Sequence, residues 1–203
     1  SLMFIVLSGC ASFVANEITS PRNSFAKGDF SDWAVEKRIC DSNSYCVKTI
    51  SLDDSSKLYS GLTFNFKSKE NHKVWRYKVN NSNFKDVKPL ANQLILLFAG
   101  YNQPTQLLMV HQQWLKQMTG ADVIIVSSAD DSEKFKFGLD YTSPVVSEIK
   151  RLQPAKVHLI GFSMGALLAS AVEQQVDNAQ LYLFAPMTDF EYSTKAIFNT
   201  IYQ

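Results

Sequence analysis

Four short, nearly unbroken apolar runs mark the second half of the chain: Leu94-Ile95-Leu96-Leu97-Phe98, Val123-Ile124-Ile125-Val126, Val157-His158-Leu159-Ile160 and Leu181-Tyr182-Leu183-Phe184. Runs of this length without alternation predict strands buried on both faces, which are usually parallel and joined by helices. Helical patterns do lie between them. Leu107, His111, Trp114, Leu115 and Met118 form a stripe at helical spacing. Residues 144–153 open on Pro144, a good first-turn residue, and carry Val145, Val146, Ile149 and Leu152, while 165–176 supply a third helix. Upstream the period changes to two. Leu62, Phe64 and Phe66 share one face of a strand, and Trp75, Tyr77 and Val79 one face of another, the pattern of antiparallel strands with a wet side. Antiparallel strands leading into strand–helix repeats predict an α/β sheet with helices on both faces.

At 203 residues, 46% hydrophobic and 19% charged, the chain is expected to form one globular domain. Its net charge of +1 supplies no bulk attraction to nucleic acid or an anionic surface. The expected division is a signal remnant over 1–9, a tether over 10–30 that is Ser/Asn-rich and contains Pro21, and the α/β domain over 31–203.

The first ten residues stand apart. Leu2-Met3-Phe4-Ile5-Val6-Leu7 is too short to span a bilayer and runs into Ser8-Gly9-Cys10. Leu-Ser-Gly-Cys resembles the lipobox of bacterial lipoproteins, which is cut before a cysteine that is then acylated. The resemblance implies a lipid anchor on Cys10 and a cell-envelope location; an ordinary signal core or a buried strand is the plainer alternative. With no Met and no basic segment before Leu2, the chain reads as beginning inside its own signal peptide. Outside the cytoplasm, Cys40 and Cys46 in CDSNSYC become a candidate disulfide. The alternatives are two reduced thiols or half of a metal site, and no second Cys/His pair at zinc spacing accompanies them.

The chemistry concentrates in KVHLIGFSMGALLAS, where the third apolar run ends in Gly161-Phe162-Ser163-Met164-Gly165 and passes into a helical pattern. A serine on a very tight strand-to-helix turn projects away from the sheet, and its neighbours must be glycines because the helix folds back on the strand there. The bland reading is a serine N-cap. With this G-x-S-x-G motif and the order of elements, residues 47–203 resemble the α/β-hydrolases. The resemblance implies that Ser163 is the nucleophile on an elbow between Gly161 and Gly165. It also implies that the backbone N–H of Met164 and that of Tyr101, in Phe98-Ala99-Gly100-Tyr101, form the oxyanion hole. Ala99 stands where the family carries a loop-shaping histidine.

In this family the acid and histidine follow the serine. Here the three histidines precede it: His158 lies within a strand, His111 on a packed helix stripe, and His72 in a polar hairpin turn. Asp189 is an acid candidate whose competing role is the N-cap of a helix beginning near Glu191. The expectation is that two further strands, with the usual acid and base, lie beyond Gln203. In their absence Leu168, Leu181 and Leu183 are expected to lie exposed. The implied function is a serine hydrolase acting on a small-molecule ester or acyl substrate, without metal or organic cofactor. Thioesterase, acyltransferase and peptidase chemistry would use the same residues, and an inactive hydrolase-fold lipoprotein that binds a ligand or partner is the alternative.

Overall fold

The computed structural model describes residues 34–52, 61–67, 74–80, 90–101, 103, 105–127, 136–189, 191–193 and 195, with backbone alone for 61–67, 74–80 and 106. The expected signal remnant, Cys10, the tether and His72 lie outside the described residues.

The elements are β1 (Ala34–Cys40), β2 (Cys46–Leu52), β3 (Gly61–Lys67), β4 (Val74–Asn80), β5 (Leu94–Phe98), α1 (Leu108–Thr119), β6 (Asp122–Val126), α2 (Thr142–Leu152), β7 (Val157–Phe162), α3 (Gly165–Glu173) and β8 (Ala179–Phe184). Six strands form one sheet in the order β1-β2-β6-β5-β7-β8. β5 pairs in parallel with both β6 and β7, and β7 with β8, so the four apolar runs are its parallel portion.

Burial explains why those runs lack alternation. Leu94, Leu96 and Phe98 of β5 pack with Val145 and Ile149 of α2 and with Leu168 and Val172 of α3. Ile95 and Leu97, on the opposite face, pack with Leu108 and Met109 of α1. Both faces of β5 are dry, so each of its positions is apolar, whereas the run in β8 lacks alternation although Tyr182, Leu183 and Phe184 are exposed.

Three expectations need correction. The alternating segments do pair antiparallel, with Phe64 opposite Tyr77, but as a separate two-stranded sheet of β3 and β4. The antiparallel edge of the main sheet is β1 and β2, which precede them. Cys40 and Cys46 face each other across that hairpin and are joined by a disulfide.

The second correction is the phase of α1. Its buried side carries Leu108, Met109, Gln112 and Gln113 in place of the Leu107–His111–Met118 stripe. Gln112 is wholly buried because its Nε2 donates to two carbonyls, Ile50 at 2.9 Å and Val123 at 2.7 Å. These two bonds satisfy the donor half of the amide, while its buried Oε1 has no hydrogen-bond partner among the described residues.

The third concerns the β8 side of the sheet. Leu183 is 41% exposed, but Leu168 is 3% exposed and Leu181 packs partly against the core. α3 turns Leu168 onto the sheet, so its burial does not depend on β8 having an outer neighbour.

Candidate active site

β7 ends at Phe162 and α3 begins at Gly165, leaving Ser163 and Met164 as the entire connection. Ser163 has φ of 50°, in the left-handed region that side chains other than glycine rarely adopt. The conformation is held from several directions. The Ser163 N–H donates to the Phe184 carbonyl at 2.9 Å, and the Ser163 carbonyl accepts from Ala166 (3.1 Å) and Met187 (3.2 Å). Strain of this kind costs about 1–3 kcal/mol and persists where its surroundings over-determine it.

The flanking glycines are required by space. A Cβ on Gly161 would lie 2.6 Å from the Cα of Ala166, and one on Gly165 would lie 2.4 Å from the Phe98 oxygen. α3 therefore crosses the ends of β5 and β7 at a distance that only glycine allows. Met164 is buried at the N-terminal end of this helix, where unpaired N–H groups give the backbone its positive end.

The loop after β5 reaches the same place. A Cβ on Gly100 would lie 3.1 Å from the Phe162 oxygen, 3.2 Å from Ser163 Cβ and 3.3 Å from Gln103 Oε1. The peptide carrying the Tyr101 N–H begins at Gly100, so the two backbone segments expected to form an oxyanion hole meet beside Ser163. Ala99 is buried at 3% exposure. Gln103 was not apparent from sequence: its Oε1 accepts from the Gly100 N–H at 2.8 Å.

The other candidates stand elsewhere. With Nε2 protonated, His158 donates to Gln93 Oε1 at 2.7 Å while its Nδ1 accepts from the Tyr182 hydroxyl at 3.4 Å. Burial, then the charge of Lys156, holds its pKa below the ordinary histidine value. His111 stacks at a tilt on Phe162, with ring centroids 5.8 Å apart, and burial lowers its pKa. Among the described residues no histidine is hydrogen-bonded to Ser163. Asp189 is exposed, and its Oδ1 accepts from the Tyr192 N–H at 2.8 Å, the geometry of a helix N-cap.

No protein-family profile matches the chain, and no curated protein matches it in sequence. Solved structures do match in fold. An esterase of Pyrococcus furiosus, Pf2001, superposes in one crystal form with a TM-score of 0.54 and 13% identity, over 86% of this chain and 57% of that one. In a second crystal form the values are 0.55 and 12%, over 91% and 63%. The chain has the α/β-hydrolase fold. It spans less than two thirds of the length of that esterase, 57% in one crystal form and 63% in the other. Within this fold Ser163 occupies the turn after the strand that pairs with β5 and β8.

Proposed function

We propose that the protein is a serine hydrolase that cleaves a carboxylic ester through an acyl-enzyme on Ser163. One observation carries the reading: Ser163 sits at φ of 50° in a two-residue turn whose flanking glycines have no room for a Cβ. Ser163 Oγ attacks the acyl carbon and a base takes its proton. The carbonyl oxygen gains negative charge facing the Met164 and Tyr101 amides and the positive end of α3. Collapse of this intermediate breaks the acyl–oxygen bond and releases the alcohol, which takes up the proton. Water then adds to the acyl-enzyme, frees the acid and restores the Ser163 hydroxyl. On this reading the base comes from outside the described residues, and Asp189 serves as a helix cap.

A fluorophosphonate probe should label the protein on Ser163, and Ser163→Ala should abolish labelling. A folded wild-type protein that never labels would favour the ligand-binding alternative. Labelling that persists in Ser163→Ala would place the nucleophile elsewhere.

The N-terminal Leu-Ser-Gly-Cys after an apolar run supports display as a bacterial lipoprotein held in the cell envelope through acylated Cys10. In cells making the precursor, Cys10→Ser should shift the protein from the detergent phase to the aqueous phase. Wild-type protein already in the aqueous phase would refute the anchor.

A further inference from the structure

We infer that Gln103 is a positioning residue for the oxyanion loop, taking the part that Ala99 leaves unfilled; the inference rests on the hydrolase reading of Ser163. The loop closes on itself twice. The Gln103 N–H donates to the Gly100 carbonyl at 3.3 Å, and the Gln103 side chain returns so that Oε1 accepts from the Gly100 N–H at 2.8 Å. The orientation of the carboxamide follows from chemistry: a backbone N–H only donates, so the atom facing it is the oxygen.

The clasp lies at the nucleophile. Ser163 Cβ and Gln103 Oε1 flank the same Cα, at 3.2 Å and 3.3 Å from the position a Gly100 side chain would take. Gly100 also abuts the Phe162 carbonyl, so a shift of the Gly100–Tyr101 peptide alters its distance from Ser163. An oxyanion donor acts only when it is preorganised toward the developing charge. Buried Ala99 offers no polar side chain here, whereas Gln103 holds Gly100 on both sides: its carboxamide accepts from the N–H of the Ala99–Gly100 peptide, and its backbone N–H donates to the carbonyl of the Gly100–Tyr101 peptide.

The test compares Gln103→Leu, which removes the acceptor, with Gln103→Glu, which keeps it, in the whole chain. Three readouts are the melting temperature, amide exchange at Gly100, and the saturation kinetics of fluorophosphonate labelling. Gln103→Leu is expected to melt near wild type, to exchange Gly100 faster, and to lower the maximal labelling rate about 10²-fold, the loss expected for a displacement near 1 Å. The concentration for half-maximal rate should stay within about threefold, since the ground-state complex does not use the oxyanion donor fully. Gln103→Glu should restore Gly100 protection, while its negative charge beside the developing oxyanion keeps the labelling rate below wild type. Wild-type labelling in Gln103→Leu would overturn the assignment, as would unchanged Gly100 exchange in that variant, or Glu failing to restore Gly100 protection. If wild type does not label at all, the hydrolase reading fails and the catalytic role of Gln103 falls with it; accelerated Gly100 exchange in Gln103→Leu would show that the clasp itself exists.

Discussion

Gly165→Ala isolates the physical demand of the elbow. The added Cβ falls 2.4 Å from the Phe98 oxygen, 2.6 Å from the Ala99 oxygen and 2.8 Å from the Phe98 carbonyl carbon. All three are backbone atoms at the end of β5, where Phe98 is paired with Val126 on one side and Gly161 on the other. The central strand cannot yield, so α3 must move outward and loosen Leu168, Ala169 and Val172 from the core. Overpacking of this kind costs about 1–3 kcal/mol and occasionally more. Helix propensity returns at most about 0.5–1 kcal/mol, leaving a net loss of roughly 1–2 kcal/mol. For a chain of this size each kcal/mol lowers Tm by about 2–4 °C, so calorimetry should find Tm about 2–8 °C below wild type. Gly100→Ala is the internal control. Its contacts of 3.1–3.3 Å are tight but tolerable, and two of the three atoms belong to side chains. It should melt close to wild type while slowing fluorophosphonate labelling. Neither glycine has positive φ, so space and not backbone conformation sets both outcomes. A Gly165→Ala protein that melts within 1 °C of wild type, or below which Gly100→Ala melts, would refute the reasoning.

Gln112→Leu removes the donor to the Ile50 and Val123 carbonyls inside the core; urea unfolding should show a loss of about 1–3 kcal/mol. His158 is 7% exposed with a lowered pKa. The unfolded chain therefore binds a proton, near histidine's ordinary value of about 6.5, before the folded one does. Stability from this site is full above that value and declines as pH falls through it toward the folded pKa. His158→Gln should reduce the difference in Tm between pH 7.5 and pH 5, and half-buried His111 should leave a residual slope of the same sign. Replacing Cys40 and Cys46 together by Ser opens a short loop, for which chain entropy predicts a loss of about 2 kcal/mol, measurable by chemical denaturation.

The sequence pattern located the elements it could because burial was uniform. β5, β6 and β7 are dry on both faces, so their residues admit one reading. β1 was not legible: Glu36, Lys37 and Arg38 interrupt it and are exposed, because an edge strand does not require an apolar outer side. The period-2 alternation of 62–66 and 75–79 identified an antiparallel pair, but alternation carries no information about which sheet a hairpin joins. In α1, hydrophobicity misplaced the face, because Gln112 and Gln113 are buried while Met118 is 42% exposed. A glutamine that reaches two carbonyls is indistinguishable in sequence from a solvated one.

The elbow was legible for a different reason. Its signal is steric: glycine at two places where a Cβ would strike backbone, around a serine at φ of 50°. Chemistry that depends on side chains returning to their own loop leaves no such trace, and the Gln103 clasp therefore emerges only from coordinates. The same distinction separates what is rigid from what is tunable around Ser163. Gly161 and Gly165 fix where α3 crosses the sheet, and the hydrogen bonds that Ser163 donates to the Phe184 carbonyl and accepts from the Met187 N–H tie the serine to β8 and the segment after it. β8 pairs with β7 alone among the described strands, with Tyr182, Leu183 and Phe184 exposed along it. The Phe162 and Phe184 rings stack at 5.3 Å across this last strand pair. The conformation of the nucleophile is thus secured firmly from the core side and through a more exposed strand on the other.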